Sequence, residues 1–520
     1  MKTIITKFRN ILIVVFTILT FSSQINFAQE PNKQVLDQNI SIYAEDEPLA
    51  NVIEKICNYL NLDYSYNANI VSDKKVNLNI SNKPIKYVLD KLMKDFYLLF
   101  EIEDNILVIR DYVPLEESLD FDRSSQVPGI NRGFLFDDPR DKSITLDFKS
   151  ASNLIIIPVT INESDTLNFI LDTGVRLPII TELPFVNKLN LNYMMPLKIK
   201  GLGDEQELTA YRSGNNTISL DGLTARNQEV QMIIDEHFQI SHLLGIPVHG
   251  LIGFNLFKNF VVNIDYSSEQ ITLYRPEHYK YRDRRRDIIL PLHFDGNKPF
   301  VRTSIVTDEL KEVPVKLLLD TGASDALWLS EKSYDRIDLP DNHIETFLGR
   351  GLSGDLFGAK GRIDGIWVGP LVLSRPIVAF PDSELIEQLI SNNDRNGTLG
   401  AEILRRFDVT IDYRNSRLTL RPTSRIKEDF SYNMSGMEVI NPMPGLPIFT
   451  ITNIRENSPA YFAGLKENDQ ILSLNSSHHR SLELNDINLL LQSRENKKIR
   501  IKVLRNGEEI KTSFELKKLF

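Results

Sequence analysis

A chain of 520 residues is too long for one hydrophobic core and implies three or four domains; its hydrophobic (42%) and charged (25%) fractions are those of folded globular proteins. The formal net charge of -10 argues against non-specific nucleic-acid binding, which needs a basic surface. The single cysteine, Cys57, excludes an internal disulfide.

The chain opens with Lys2, Lys7 and Arg9, an apolar run from Ile11 to Phe21, and a cleavage point at Phe27-Ala28-Gln29. This pattern reads as a signal peptide over residues 1–28, so export is expected. The apolar run is about half the length that spans a bilayer. Asn26 fits the cleavage rule poorly, which keeps a retained anchor as the alternative. No later stretch is apolar over ~20 residues, so the mature chain is expected to be soluble.

Residues 35–113 predict a small α+β unit. Strands are expected at Ile40 to Tyr43, Asp63 to Tyr66 and Lys75 to Ile80, and amphipathic helices at Pro48 to Leu60 and Pro84 to Lys94. Tyr97 to Ile109 reads as a hairpin turning at Glu103-Asp104-Asn105. Cys57 lies on the apolar stripe of the first helix and is expected to be a buried structural thiol. In length and element order this segment resembles the short N-terminal (STN) domain of secretins and TonB-dependent transducers. The resemblance implies a periplasmic contact module; a generic α+β adaptor is the alternative.

An acidic, polar linker is expected over 114–143. Beyond it the chain repeats itself. Phe169-Ile-Leu-Asp172-Thr173-Gly174 is matched by Leu317-Leu-Leu-Asp320-Thr321-Gly322, 148 residues later. Gly250-Leu-Ile-Gly253 returns as Gly397-Thr-Leu-Gly400, and Ile264-Asp265-Tyr266 as Ile411-Asp412-Tyr413, both 147 residues on. Such landmarks in register define two copies of one unit, at 144–276 and 289–422. The joining segment 277–288, with His278 to Arg286, reads as a solvated connection, with a processing site as the alternative. Asp265 and Asp412 are expected at strand ends, holding turns.

The Asp-Thr-Gly loops carry the chemistry. Two carboxylates sharing a proton can activate water and protonate a leaving group, because like charges ~3 Å apart cannot both ionise. Three apolar residues before each Asp mark a buried strand that holds the carboxylate rigidly. Gly174 and Gly322 allow a tight turn and close approach of the two loops. The Thr173 and Thr321 hydroxyls can bond across to the opposite loop.

With its later Gly-containing apolar element, the repeat resembles the aspartic proteases of retropepsin-like type, fused in tandem as a pseudo-dimer over about 144 to 422. The resemblance implies two β-rich lobes, a cleft between them, and Asp172 and Asp320 as the catalytic pair. It also implies glycine-tipped flaps, here Gly201 and Gly203 in one lobe and Gly349 and Gly351 in the other. No homodimer is then needed to complete the site. The first loop departs from the family pattern at Val175 and Arg176. Arg176 is expected to pair with Glu402 or Asp325; the alternatives are binding of an acidic substrate residue or a bias on which Asp holds the proton. Trp328 is expected in the core or the pocket wall.

After a linker at 423–435, residues 436–520 contain Ser458-Pro-Ala-Tyr-Phe-Ala-Gly-Leu465 and Asn468-Asp469. This resembles the helix-and-turn signature of bacterial protease PDZ domains, with Asn468 in place of the usual glycine. The resemblance implies a peptide groove with Gly445 and Leu446 in the carboxylate loop and Ile448 and Phe449 on the edge strand, facing a helix at Leu484 to Gln492. A purely structural PDZ domain is the alternative. The histidines (His237 and His242, His478 and His479) have no metal-binding spacing, so no metal or other cofactor is expected.

The fold class expected is therefore mainly β and multidomain: two acid-protease lobes between an STN-like α+β domain and a PDZ domain. The expected activity is that of an exported aspartic endopeptidase of a Gram-negative periplasm or envelope, with extracellular release as the alternative location. It would act on peptide or protein substrates and could meet envelope partners through the flanking domains. The competing reading is a non-catalytic envelope adaptor whose degenerate protease core only binds peptides.

Overall fold

A computed structural model describes residues 36, 38–60, 62–66, 74–96, 98–103, 106–111, 133–181, 189–191, 194–199, 208–233, 240–282, 284–307, 311–333, 336–351, 354–382 and 395–520. The signal-peptide reading over 1–28 lies outside these residues. Among them, no helix is long and apolar enough to cross a membrane. The protein is mainly β, as expected.

In the N-terminal unit, Asn39–Pro48 pairs antiparallel with Lys75–Pro84, while Ile106–Asp111 is central to a three-stranded sheet with Asp63–Tyr66 and Leu98–Glu103. The helices Leu49–Leu60 and Ile85–Asp95 bury Val52, Ile53, Ile56, Val88 and Leu89 in a core separate from the rest of the protein. Pro48 closes a strand rather than opening the helix, which begins at Leu49. Cys57 is buried in this core, and burial pushes its thiol up to about 12.

The two repeats fold into two sheets of the same strand order. In the first, Leu167–Leu171 lies between Leu154–Ile161 and Gly250–Ile252; in the second, Glu312–Leu319 lies between Lys298–Val306 and Gly397–Leu399. The central strands bury side chains on both faces, which is why they read as continuous apolar runs. A third sheet of six strands joins the copies. Val261–Asp265 of one runs antiparallel to Phe407–Asp412 of the other, and each is followed by its own hairpin partner, Gln270–Tyr274 or Arg417–Pro422. Asp265 accepts from the Ser267 backbone N–H at 2.8 Å and Asp412 from that of Asn415 at 3.0 Å, so both carboxylates hold turns.

The connections are more ordered than their composition suggests. Phe134 and Phe136 enter the core of the first lobe, and Leu135–Phe136 pairs with Leu223 and Thr224. Between the lobes, Tyr279 and Tyr281 stack edge to face at 5.0 Å, with the Arg417 guanidinium 4.1 Å over the Tyr281 ring. Phe430, Tyr432 and Met434 of the second expected linker are buried. Arg406, itself buried, stacks 3.8 Å over Phe430 and binds the Glu428 carbonyl.

The C-terminal sheet runs Met437–Ile440, Thr450–Ile454, Gln470–Leu474, Lys498–Arg505, Glu508–Glu515. Ser458 caps the short helix Pro459–Phe462 by accepting from the Tyr461 N–H at 3.2 Å, and Asn468 takes the left-handed backbone (φ 68°) that its place demands. This domain is seated on both lobes. Asn441 N–H donates to the His242 carbonyl at 2.9 Å, Gly245 sits against Leu484, and the Arg362 guanidinium lies 5.7 Å over the Phe520 ring.

The strand expected at the edge is an interior one. Thr450–Ile454 is flanked by Met437–Ile440 and by Gln470–Leu474, and Phe449 is buried in the core. Gly445 (φ 89°) and Leu446 belong to a turn closed by the Leu446 N–H to Met443 carbonyl bond, and Ile448 N–H is spent on the Leu446 carbonyl. Met437–Ile440 is a terminal strand of the sheet, and the Asn441 N–H just beyond it is spent on the His242 carbonyl of the first lobe. The β-branched run at Ile448 to Ile454 is the stronger strand signal, and it concealed a shorter strand outside it.

Candidate active site

Each Asp-Thr-Gly loop leaves the end of a buried strand and is held from beneath by the later glycine element of its own copy. Asp172 N–H donates to the Ile252 carbonyl at 2.8 Å, and Asp320 N–H to that of Leu399 at 3.0 Å. A Cβ at Gly253 would lie 1.7 Å from the Asp172 carbonyl oxygen, and one at Gly400 2.2 Å from that of Asp325. No side chain fits at either place, which explains in physical terms why both landmarks contain glycine.

The loops then grip one another. Thr173 Oγ1 donates to the Leu319 carbonyl at 2.6 Å and accepts from Thr321 N–H at 3.1 Å. Thr321 Oγ1 donates to the Leu171 carbonyl at 2.7 Å and accepts from Thr173 N–H at 3.1 Å. Four buried hydrogen bonds thus cross the lobe boundary in a two-fold pattern. Within each loop the glycine amide turns onto its own carboxylate, Gly174 N–H to Asp172 Oδ1 at 2.6 Å and Gly322 N–H to Asp320 Oδ1 at 2.9 Å. A Cβ at Gly322 would meet Asp172 Cγ at 2.4 Å, so the second glycine is what lets the carboxyls meet.

The Asp172 and Asp320 carboxyls come together there, 3.1 and 3.7 Å from the Cβ position of Gly174. Burial, and then the Asp320 charge, hold the Asp172 carboxyl well above the usual carboxylate range, against the opposing pull of the Gly174 N–H. Such a pair binds one proton between two carboxyls across a range of pH.

Of the expected flap residues, Gly349 and Gly351 lie on the hairpin His343–Gly351/Gly354–Arg362, with Gly351 opposite Gly354. Gly201 and Gly203 lie outside the described residues. Trp328 packs beneath this hairpin with Leu348 and Leu356, and its Nε1 donates to Asp325 at 2.9 Å.

The pairing expected of Arg176 is not formed. Glu402 is taken by Arg405 (2.6 Å), Arg406 (2.8 Å) and Asn153 (2.9 Å), and Asp325 by Lys360 (3.0 Å) and Trp328. Two arginines three and four residues beyond Glu402 on the same helical turn reach it locally. Arg176 is exposed and makes no ion pair among the described residues.

Three side chains near the dyad were not anticipated. The Asp320 charge acts on Lys298 and Arg395, and both carboxyls act on Tyr413. Tyr413 is buried against Phe257 and Phe294, with its hydroxyl unpartnered among the described residues. Burial and then the two aspartates push that phenol well up, so it stays neutral. Its signal was available in the duplicated Ile-Asp-Tyr motif.

A family model described as aspartyl protease matches residues 157–256 and 306–403, and a PDZ domain model matches residues 429–516. The comparison with curated proteins gave no match. The two matched protease regions each contain one Asp-Thr-Gly loop and end at the glycine element beneath it.

Proposed function

We propose that this chain, a tandem pair of aspartyl protease regions followed by a PDZ domain, hydrolyses peptide bonds as an endopeptidase through Asp172 and Asp320. The observation that carries the reading is the cross-lobe grip of Thr173 and Thr321, which brings one carboxyl from each copy into contact. The ionised member of the pair takes a proton from a water aligned on the scissile carbonyl, and the protonated member donates to its oxygen. In the second step a proton passes to the leaving nitrogen and the C–N bond breaks. Fixed donors and a closed lobe interface keep the pair oriented at no cost during reaction. In this reading the hairpin that carries Gly349 and Gly351 covers the bound peptide backbone.

The PDZ domain supplies the interaction module. The N-terminal unit is read as an STN-like contact domain on its element order, and export to a Gram-negative envelope on the basic and apolar start of the chain. The test is digestion of a mixed peptide library by the chain lacking residues 1–28, from mildly acidic to neutral pH, with products read by mass spectrometry. Cleavage inside peptides, leaving free carboxyl and amino ends, supports the endopeptidase. A well-folded protein that binds peptides and cuts none would be the adaptor instead.

A further inference from the structure

The two lobes match in backbone but differ sharply in the side chains beside their aspartates. In lobe 1, strand register sets Leu154 level with Asp172, Leu251 lies on the strand beneath, and Val248 precedes that strand. These three belong to one apolar cluster with Ile156 and Ile170. The same register in lobe 2 sets Lys298 level with Asp320, with Thr398 in the place of Leu251 and Arg395 in that of Val248. An apolar trio has been exchanged for two cations and a hydroxyl.

Geometry keeps these groups at the dyad. Leu318, the strand partner of Thr398, lies 3.8 Å from the Cβ position of Gly174, so this wall adjoins the catalytic loops. The Arg395 side chain folds back along its strand, donating from Nε to the Gly397 carbonyl at 2.8 Å and from Nη2 to Thr398 Oγ1. These bonds fix the guanidinium plane, and Nη1 makes no hydrogen bond among the described residues. Neither Arg395 nor Lys298 forms a salt bridge with a carboxylate among the described residues. Burial lowers Arg395 to about 10 against the pull of Asp320; Lys298, whose side chain reaches the surface, is lowered by desolvation and then by the Arg395 charge, with Asp320 and Asp172 opposing. Two neighbouring like charges, with no carboxylate ion-paired to either among the described residues, call for an anion.

We propose that Arg395, oriented by Thr398 and seconded by Lys298, binds an acidic side chain of the substrate beside the scissile bond on the lobe 2 side. This rests on the endopeptidase reading and names its substrate class. A planar guanidinium held by two bonds suits a carboxylate, which it meets with two parallel N–H donors. A charge-assisted contact of this kind discriminates glutamate from glutamine by about 10- to 100-fold.

The experiment uses pairs of cleaved library peptides differing only by Glu or Gln at each position flanking the cut. For wild type the ratio of kcat/KM, Glu over Gln, should be about 10 to 100 at one position. It should fall toward one in Arg395→Met, remain partly in Arg395→Lys, fall in Lys298→Met, and shrink for wild type at high salt. Because it is a ratio, loss of folded protein cancels. A wild-type ratio of one at every flanking position, or a ratio unchanged in Arg395→Met, would overturn the proposal while leaving the endopeptidase standing. Fluorescence anisotropy of labelled Glu and Gln library peptides, chosen without regard to cleavage, on Asp172→Asn separates the two claims. Preference for Glu in binding, with no cleavage by wild type, would retain the cationic site and reject the protease.

Discussion

Replacing Thr321 by valine removes one hydroxyl without changing side-chain volume. The hydroxyl donates to the Leu171 carbonyl at 2.7 Å and accepts from Thr173 N–H at 3.1 Å, and both partners are buried where water cannot replace it. Leaving each of the two buried groups unpaired costs about 1–3 kcal/mol, so the variant should lose roughly 2–6 kcal/mol in all. For a unit of this size that corresponds to a fall in Tm of about 5–15 °C. Calorimetry on the whole chain resolves the transition of the protease unit from that of the N-terminal unit, whose core is separate. Thr321→Ser keeps both bonds and should recover most of the loss, and Thr173→Val should reproduce it. If Thr321→Val melts within about 1 °C of wild type, the cross-lobe bonds do not hold the loops together in solution.

The raised Asp172 carboxyl makes stability depend on pH with a definite sign. Its protonated form favours the fold, so this contribution is fully present below the ordinary carboxylate range and is lost as pH rises through the raised value. Asparagine cannot ionise; Asp172→Asn should therefore gain in Tm relative to wild type between pH 4 and 8, and a constant difference would contradict the burial. Cys57, buried and with its thiol held at about 12, should resist alkylation at pH 8 until the N-terminal unit unfolds; rapid labelling of the native protein would place it at the surface. Gly245 takes a left-handed backbone (φ 74°), and a Cβ there would lie 2.5 Å from Leu484 Cβ. Gly245→Val should cost about 1–3 kcal/mol and speed hydrogen exchange in the Leu484–Leu491 helix as the PDZ seat loosens. Exchange unchanged in that helix would mean the domain is not seated there.

Duplication made the protease core legible. One Asp-Thr-Gly is a weak signal, but two, each with an apolar strand before it and a glycine element after it, specify the same loop twice. The structure supplies the reason: Gly253 and Gly400 lie under those loops where any Cβ would collide. Positions without a shared residue type were invisible to the same comparison. Lys298 and Arg395 face the dyad at places held by Leu154 and Val248 in the first copy, so only strand register reveals the correspondence. Arg176 was assigned a distant carboxylate because sequence does not show that Arg405 and Arg406 reach Glu402 first. The PDZ edge was misplaced because Met437–Ile440 is short, and a four-residue strand at a domain boundary carries little pattern of its own. Polar composition likewise hid Phe134, Phe136, Phe430 and Tyr432, apolar residues that pin the connections to the lobes.

That one site is built from two copies is tested most directly by measuring kcat/KM for wild type, Asp172→Asn, Asp320→Asn and the double variant on one cleaved peptide. Residues acting as a unit lose nearly everything at the first substitution. Each single variant should fall to the level of the double. Substantial activity in either single variant, or losses that add, would contradict a shared two-carboxylate centre.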